Sequence, residues 1–183
     1  MKATGIVRRI DDLGRIVIPK EIRRTLRIRE SDPLEIYTGP AGEVIFKKYS
    51  PIGELAAFAA DYAEVLNRTA GISVIITDRD RVVAAAGVPR REWLNARVSP
   101  LLERVMDARR LHVPDPGALC PAECAGEARR TVRVAAPIVS RGDVAGCVVF
   151  LSGEHPAAEA VPAETELKLA GVAAALLSRQ LEE

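Results

Sequence analysis

The stretch that decides the fold is residues 4–28, which read TGIVRRIDDLGRIVIPKEIRRTLRI. Residues 5–10 and 15–18 are rich in Ile and Val, and an Asp-Asp-Leu-Gly turn at 11–14 separates them, so two β-strands are predicted. A short helix is predicted next, because Pro19 suits a first helical position, where its missing N–H would be unpaired in any case. The stretch is therefore one unit of strand, turn, strand and helix.

The predicted helix carries its positive charge on one side. Four cations recur at spacings of three and four residues and share one face: Lys20, Arg23, Arg24 and Arg27. Ile22 and Leu26 share another face. Like charges at such spacings repel, and each pair costs an isolated helix roughly 0.2 to 0.5 kcal/mol. An external anionic partner would neutralise that face, so the pattern indicates a binding surface.

Three motifs of this stretch stand in a characteristic order: Gly-Ile-Val-Arg, Leu-Gly-Arg-hydrophobic-Val-Ile-Pro and Arg-Arg-Thr-Leu. In order and spacing they closely resemble the DNA-binding domain of the AbrB family of bacterial transition-state regulators. The resemblance covers residues 1–50 and implies a swapped-hairpin β-barrel, in which the hairpins of two chains interlock. Within the family the chain looks most like the sporulation regulators, which carry a second, carboxy-terminal domain. The resemblance thus implies a dimer that binds double-stranded DNA.

The same resemblance implies which side chains face the DNA. In the family they are arginines of the first strand, the turn and the helix, which correspond by position to Arg8, Arg9, Arg15, Arg23 and Arg24. Lys20 and Arg27, from the basic face of the predicted helix, complete the predicted DNA-binding set.

Charge is distributed unevenly along the chain. The 183 residues have a formal net charge of +1, but residues 1–29 hold nine Lys or Arg against three Asp or Glu, which leaves +6 there and −5 in the remainder. Nucleic acid is therefore expected at the amino-terminal region alone, because the remainder repels phosphate. Apolar runs such as residues 144–151 are too short to span a bilayer, and no leader pattern opens the chain, so a cytoplasmic protein is expected.

The rest of the amino-terminal domain predicts a hairpin. Residues 34–37 and 44–47 are strand-like, and a loop at 38–43 that contains Gly and Pro joins them. A unit of about 50 residues buries only ~60% of its unfolded surface and often needs a partner chain. Pairing of hairpins between two chains would meet that need.

Amphipathic helices are predicted at both ends of the second domain, residues 51–183. Ser50 and Pro51 are typical of an N-cap and a first helical position. The first helix carries two apolar seams: Ile52, Ala56, Ala59, Ala63 and Leu66, then Leu55, Phe58, Tyr62 and Val65. The last helix also carries two: Leu167, Ala170, Ala174, Leu177 and Leu181, then Leu169, Val172, Ala173 and Leu176. Two seams need two surfaces, so these helices are predicted to pack on their own sheet and on a partner chain, giving a homotetramer; burial in one core is the alternative.

Between these helices lies an α/β segment. Strands are predicted at 72–77 and 82–86, a helix at about 91–109, and a second hairpin at 131–139 and 144–151. This order is that of a GAF-type sensor, which the resemblance also implies, although a PAS domain has a similar pattern. The predicted fold class is therefore α+β, with a GAF-like α/β sensor domain after the swapped-hairpin barrel.

Residues 112–130 are a second candidate functional region. Five Pro or Gly residues predict a loop of nearly twenty residues, either a lid over a ligand pocket or a mobile surface loop. His112, Cys120 and Cys124 offer three metal ligands where zinc usually takes four, so no metal is predicted. Cys147 lies in a strand-like run and is predicted to pack in the core.

The sequence does not indicate an enzyme. It has no Gly-rich phosphate loop and only two histidines, His112 and His155, of which the second lies in a linker rich in Ala, Glu and Pro. The Asn-Lys-Phe-Asp-Glu motif of cyclic-nucleotide-binding GAF relatives is also missing. No cofactor is predicted, and a small-molecule ligand of the second domain stays unidentified.

The sequence predicts a homo-oligomeric, sequence-tolerant DNA-binding regulator of sporulation genes, acting as activator, repressor or both. A ligand or partner of the GAF-like domain would modulate its DNA binding. One alternative is an antitoxin-like protein of the same swapped-hairpin fold that binds a toxin through its carboxy-terminal region. Another is a GAF-like domain that binds nothing and only assembles the tetramer.

Overall fold

The chain divides into two units, Met1–Tyr49, here called the head, and Ser50–Glu183, here called the body. The computed structural model describes residues 5–30, 32–113, 122–123, 130–152 and 161–183. No helix among these described residues is long and apolar enough to cross a membrane.

The described residues of the head form a short helix and a hairpin. Helix α1 spans Lys20–Thr25, and strands β1, Leu34–Thr38, and β2, Val44–Lys48, pair antiparallel. Leu34 lies opposite Lys48 and Thr38 opposite Val44, so the predicted hairpin is confirmed.

The two strands predicted at 5–10 and 15–18 do not form in this structure. A strand exists only when a neighbour accepts its backbone hydrogen bonds. The Asp11 N–H donates to the Arg15 carbonyl at 3.1 Å across the turn, but no strand pairing continues from this bond in the described residues. Pro19 also differs from its predicted place, because it is the N-cap residue of α1 and precedes the first helical position.

A four-stranded antiparallel sheet forms the centre of the body, in the order β4-β3-β8-β7. Its strands are β3, Ser73–Asp78; β4, Val82–Ala86; β7, Val132–Ser140; and β8, Asp143–Leu151. Both predicted hairpins are therefore present, with ends shifted by one residue. Gly146 is required where β8 passes β3, because a Cβ there would collide with the Thr77 carbonyl oxygen. Strands β5, Arg97–Val98, and β6, Ala122–Glu123, form a separate pair.

Helices cover both faces of this sheet. Helices α2, Pro51–Glu54, α3, Ala56–Ala70, and α6, Ala163–Gln180, pack on one face. Helices α4, Arg90–Trp93, and α5, Pro100–Ala108, pack on the other, where Trp93 and Met106 are buried. Each face has its own apolar core, because successive residues of a strand point to opposite sides.

The single helix predicted at about 91–109 is wrong. The chain leaves α4 at Leu94, takes a positive φ of 64° at Asn95 and begins α5 only at Pro100. Pro100 disfavours a helical conformation at the residue before it, and Ser99 instead caps α5 by accepting the Leu102 N–H at 3.4 Å. The first helix of the body is also interrupted, at Leu55 between α2 and α3.

The flanking helices bury one seam and leave much of the other at the surface. Ile52, Ala59 and Ala63 of α2 and α3 are fully buried, as are Ala170 and Leu177 of α6. The second seams are exposed at several large side chains: Val65, Val172 and Leu176. Ala173 was predicted in the second seam of α6 but is fully buried, and so belongs to the inner one.

The cysteine and histidine predictions have different outcomes. Cys147 is fully buried in β8, and burial raises the pKa of its thiol, so its packing role is confirmed. His112 pairs with Ala135 of β7 through backbone bonds of 2.8 Å in both directions. Cys120, Cys124 and His155 lie outside the described residues. Within the described part of the chain, no three His, Cys, Asp or Glu side chains are grouped as metal ligands would be.

Candidate nucleic-acid interface

Helix α1 presents its cations to solvent. It begins after Pro19 and buries none of its side chains, so Lys20, Arg23 and Arg24 are exposed. Glu21 lies in its first turn, where the helix dipole favours a negative charge. Two neighbouring arginines and a lysine are thus available to an anion on one short element.

The end of α1 changes the predicted place of Arg27. The Ile28 N–H donates to the Arg23 carbonyl at 2.7 Å, and the Arg27 N–H donates to the Arg24 carbonyl at 3.3 Å. This pattern closes the helix and requires a left-handed residue, normally glycine, but here Arg27 with φ of 52°. The prediction that Arg27 shares the helix face with Arg23 and Arg24 is therefore wrong. Arg27 is half-buried beyond the helix end.

A buried carboxylate joins the end of α1 to the hairpin. Asp32, whose side chain is only 3% exposed, accepts the Arg29 N–H at 2.8 Å and lies 3.2 Å from Lys48 Nζ. Lys48 Nζ also donates to the Arg27 carbonyl at 3.0 Å. These bonds hold the segment that follows α1 against β2, so the hairpin sets the position of the basic helix.

The turn at residues 11–15 holds the next predicted residue, Arg15. Asp11 accepts the backbone N–H groups of Leu13 and Arg15, and its second oxygen accepts Arg15 Nε at 2.8 Å. The Arg15 N–H, followed by its guanidinium, lowers the pKa of the Asp11 carboxyl group. Gly14 completes the turn with φ of 75°. Arg8 and Arg9 precede the turn and are exposed.

The head also exposes much of its apolar surface. Val7 is 89% exposed and Leu13 is 74% exposed. Further large apolar side chains of the head are exposed: Ile6, Ile10, Ile16, Val17, Leu26, Ile36, Val44 and Phe46. So many exposed large apolar side chains on one small unit are typical of an interface with another protein chain.

Two residues that shape this surface were missed in the sequence. Asp11 had a local signal, since an Asp at the start of a turn commonly accepts a backbone N–H two residues on. Asp32 had none, because its partner Lys48 is sixteen residues away and only the fold brings the two together.

Two family models match the chain. Residues 54–182 match the model described as stage V sporulation protein T C-terminal, transcription factor. Residues 7–53 match antidote-toxin recognition MazE, bacterial antitoxin. The exposed basic head, together with a body that matches a transcription-factor model, defines the protein as a transcription regulator. Stage V sporulation protein T of Bacillus subtilis (strain 168) is 48% identical over 183 residues, which is the whole of both chains. The chain belongs to the stage V sporulation protein T family.

Matches to the head alone agree with the predicted family. Transition state regulatory protein AbrB of Bacillus subtilis (strain 168) is 61% identical over 51 residues, which are 28% of this chain and 52% of that protein. The solution structure of the N-terminal DNA recognition domain of Bacillus subtilis AbrB is 61% identical, covers 28% of this chain and 94% of its own, and has a TM-score of 0.25. The AbrB-type resemblance of residues 1–50 is confirmed.

Proposed function

We propose that the chain is a homo-oligomeric, sequence-tolerant DNA-binding regulator of sporulation genes, whose head binds duplex DNA and whose body modulates that binding. The observation that carries the proposal is the exposed cationic surface of the head. Its members lie before the turn, in the turn and on α1: Arg8, Arg9, Arg15, Lys20, Arg23 and Arg24. The names of similar proteins, a transcription factor and a transition state regulatory protein, support a regulatory function.

The head is proposed to act as a dimer. Of the described apolar residues of the head, only Pro19 is buried, so a single copy lacks an apolar core of its own. Segments 5–10 and 15–18 form no strand in this structure, and they expose Ile and Val side chains. A second copy would supply strand partners for the backbone of these segments and apolar surface for their side chains. This supports the swapped-hairpin barrel.

Phosphate contacts are proposed to dominate DNA binding. Most hydrogen bonds between proteins and DNA go to phosphate or sugar, and such contacts position a protein without reading sequence. The arginines of α1 fit that role, because each presents several fixed donors to an anion. Arg27 is proposed as a weaker contributor, since it lies beyond the helix and is half-buried.

The body is proposed to be a GAF-like sensor that reaches the head through its first residue. Strand β2 ends at Lys48 and helix α2 begins at Pro51, so the chain crosses with almost no linker. Ser50 caps α2 by accepting the Gly53 N–H and donates its hydroxyl to Asp78 at the end of β3, at 2.9 Å. A ligand that shifts the sheet or α3 would therefore act on the residue at which the body follows the head, and such coupling is reciprocal.

The salt dependence of DNA binding tests the interface. Arg23→Ala and Arg24→Ala should each weaken binding of the full chain to duplex DNA. The slope of log affinity against log salt should fall by about 0.9 for each phosphate that a chain no longer neutralises, or about 1.8 for a dimer. Arg68→Ala is the matched control, since Arg68 is an exposed arginine of the body. Unchanged slopes in both head variants would refute the proposal.

An antitoxin role is the second candidate, favoured by the bacterial antitoxin model that matches residues 7–53. Antitoxins of this fold bind a toxin through an appended segment. The body here is instead a folded unit with two apolar cores. Co-purification of the tagged chain with a small protein encoded beside it would favour the antitoxin role.

A further inference from the structure

One carboxylate organises the turn of the head. Asp11 Oδ1 accepts the N–H groups of Leu13 at 3.0 Å and of Arg15 at 2.8 Å, while Oδ2 accepts Arg15 Nε at 2.8 Å. The backbone closes the same loop, since the Asp11 N–H donates to the Arg15 carbonyl and the Gly14 N–H donates to the Asp11 carbonyl at 2.9 Å. Both oxygens of this carboxylate are therefore used within five residues.

The ion pair in this network contributes little to the stability of the fold. The Arg15 side chain is 70% exposed and that of Asp11 is 42% exposed, and ion pairs at such exposure are weak. On a surface that binds a polyanion, a carboxylate beside an arginine also opposes binding, because it offsets the positive charge. A residue that adds little stability and reduces general attraction to DNA needs a third role.

The geometry supplies that role. Arg15 Nε is bound to Asp11, and among the residues that the structure describes its two Nη nitrogens have no hydrogen-bond partner. The guanidinium is planar and rigid, so binding Nε also fixes the direction of the Nη donors. Two donors fixed side by side match the O6 and N7 acceptors of guanine in the major groove, and only contacts to bases read sequence.

We propose that Asp11 is a specificity-determining residue, which positions Arg15 for a base contact and lowers the affinity of the head for random DNA. This inference rests on the proposed binding of duplex DNA by the head. The sequence preference of the protein then depends on Asp11, an acidic residue that is not in the predicted DNA-binding set.

The matched pair Asp11→Asn and Asp12→Asn tests the proposal in the full chain. Both variants remove one negative charge, but only Asp11→Asn breaks the bond to Arg15, while its amide oxygen still serves the turn. Affinity is measured for a duplex that the parent selects from a random library and for a random-sequence duplex of equal length. Both variants should bind the random duplex more tightly. Only Asp11→Asn should lose preference for the selected one, by about fivefold or more per site, the lower end of what a bidentate base contact provides.

A double-mutant cycle tests whether Asp11 acts through Arg15. Arg15→Lys keeps the charge but lacks the planar fork, so adding Asp11→Asn to it should change the preference no further. Equal loss of preference in Asp11→Asn and Asp12→Asn, additive effects in the cycle, or a parent with no preference between the duplexes would each overturn the positioning role. A parent that binds no duplex in a salt-dependent way would instead refute the proposed function on which this inference rests.

Discussion

Single residues beyond the end of α1 determine how its arginines are held. Arg27 takes the left-handed position that closes the helix, although a side chain there is strained. Its carbonyl accepts Lys48 Nζ, and Lys48 Nζ also pairs with the buried Asp32. The position of this basic helix therefore depends on residues outside it, among them Asp32 and Lys48.

Replacing Asp32 with Ala should destabilise the head by about 2–3 kcal/mol. The change leaves Lys48, whose side chain is 24% exposed, without its carboxylate, and the penalty is smaller than the ~3–5 kcal/mol of a fully buried pair. Amide hydrogen exchange at residues 20–48 of the full chain measures the loss. Asp12→Ala is the control, because Asp12 is an exposed Asp in the turn, and should stay within ~0.5 kcal/mol. Equal exchange in the two variants would contradict the structural role of Asp32.

At the scale of elements, α6 is attached to the sheet by more than apolar contacts. Glu166 is 5% exposed at its side chain, and its Oε2 lies 3.0 Å from Arg133 Nε on β7. Near its other end, Ser178 donates its hydroxyl to the Val139 carbonyl, also on β7. These two polar contacts determine how α6 lies along the edge strand, and so which of its residues face outward.

Glu166→Ala should lower the stability of the body by about 3 kcal/mol, because it leaves the largely buried Arg133 guanidinium without this carboxylate. For a unit of this size the melting temperature should fall by roughly 10 °C. Glu164→Ala is the matched control on the same helix, since Glu164 is 79% exposed and pairs with exposed Lys168. Its expected effect is below ~0.5 kcal/mol. Indistinguishable melting curves for the two variants would show that the ion pair contributes little.

At the scale of the whole molecule, the outer seams of the body are the proposed contact between dimers. Val65 of α3 and Val172 and Leu176 of α6 stay exposed while the inner seams fill the core. The head supplies one proposed self-contact and these seams supply the second. Two independent self-contacts on one chain produce a tetramer by symmetric pairing.

Val172→Asp should convert the proposed tetramer to a dimer that is still held by its heads. Val172 is 60% exposed, so the change should spare the fold of the body while placing a charge in the apolar contact. Sedimentation equilibrium gives the mass, and Thr165→Asp, an exposed change on the same helix, is the control. A mass for Val172→Asp equal to that of the parent would rule out this seam as the contact.

Local patterns predicted much of the chain correctly. The hairpins at 34–48, 73–86 and 132–151 form where strand-like apolar runs flank turn residues, because both signals act within a few positions of the chain. Ser50 caps α2 as predicted for the same reason. The break before α5 also had a local signal, in Ser99 and Pro100, which the single-helix prediction overlooked.

The sequence by itself determined the family, the basic character of the head and the inner seams of the flanking helices. Only the tertiary structure decided that Arg27 leaves the helix face, that Ala173 is buried and that Asp32 and Glu166 each receive a cation from a distant strand. The DNA-binding set stays a prediction. The physical reason for the division is range: propensity, periodicity and caps act over one or two turns, whereas ion pairs and strand partners depend on which distant segments the fold brings together.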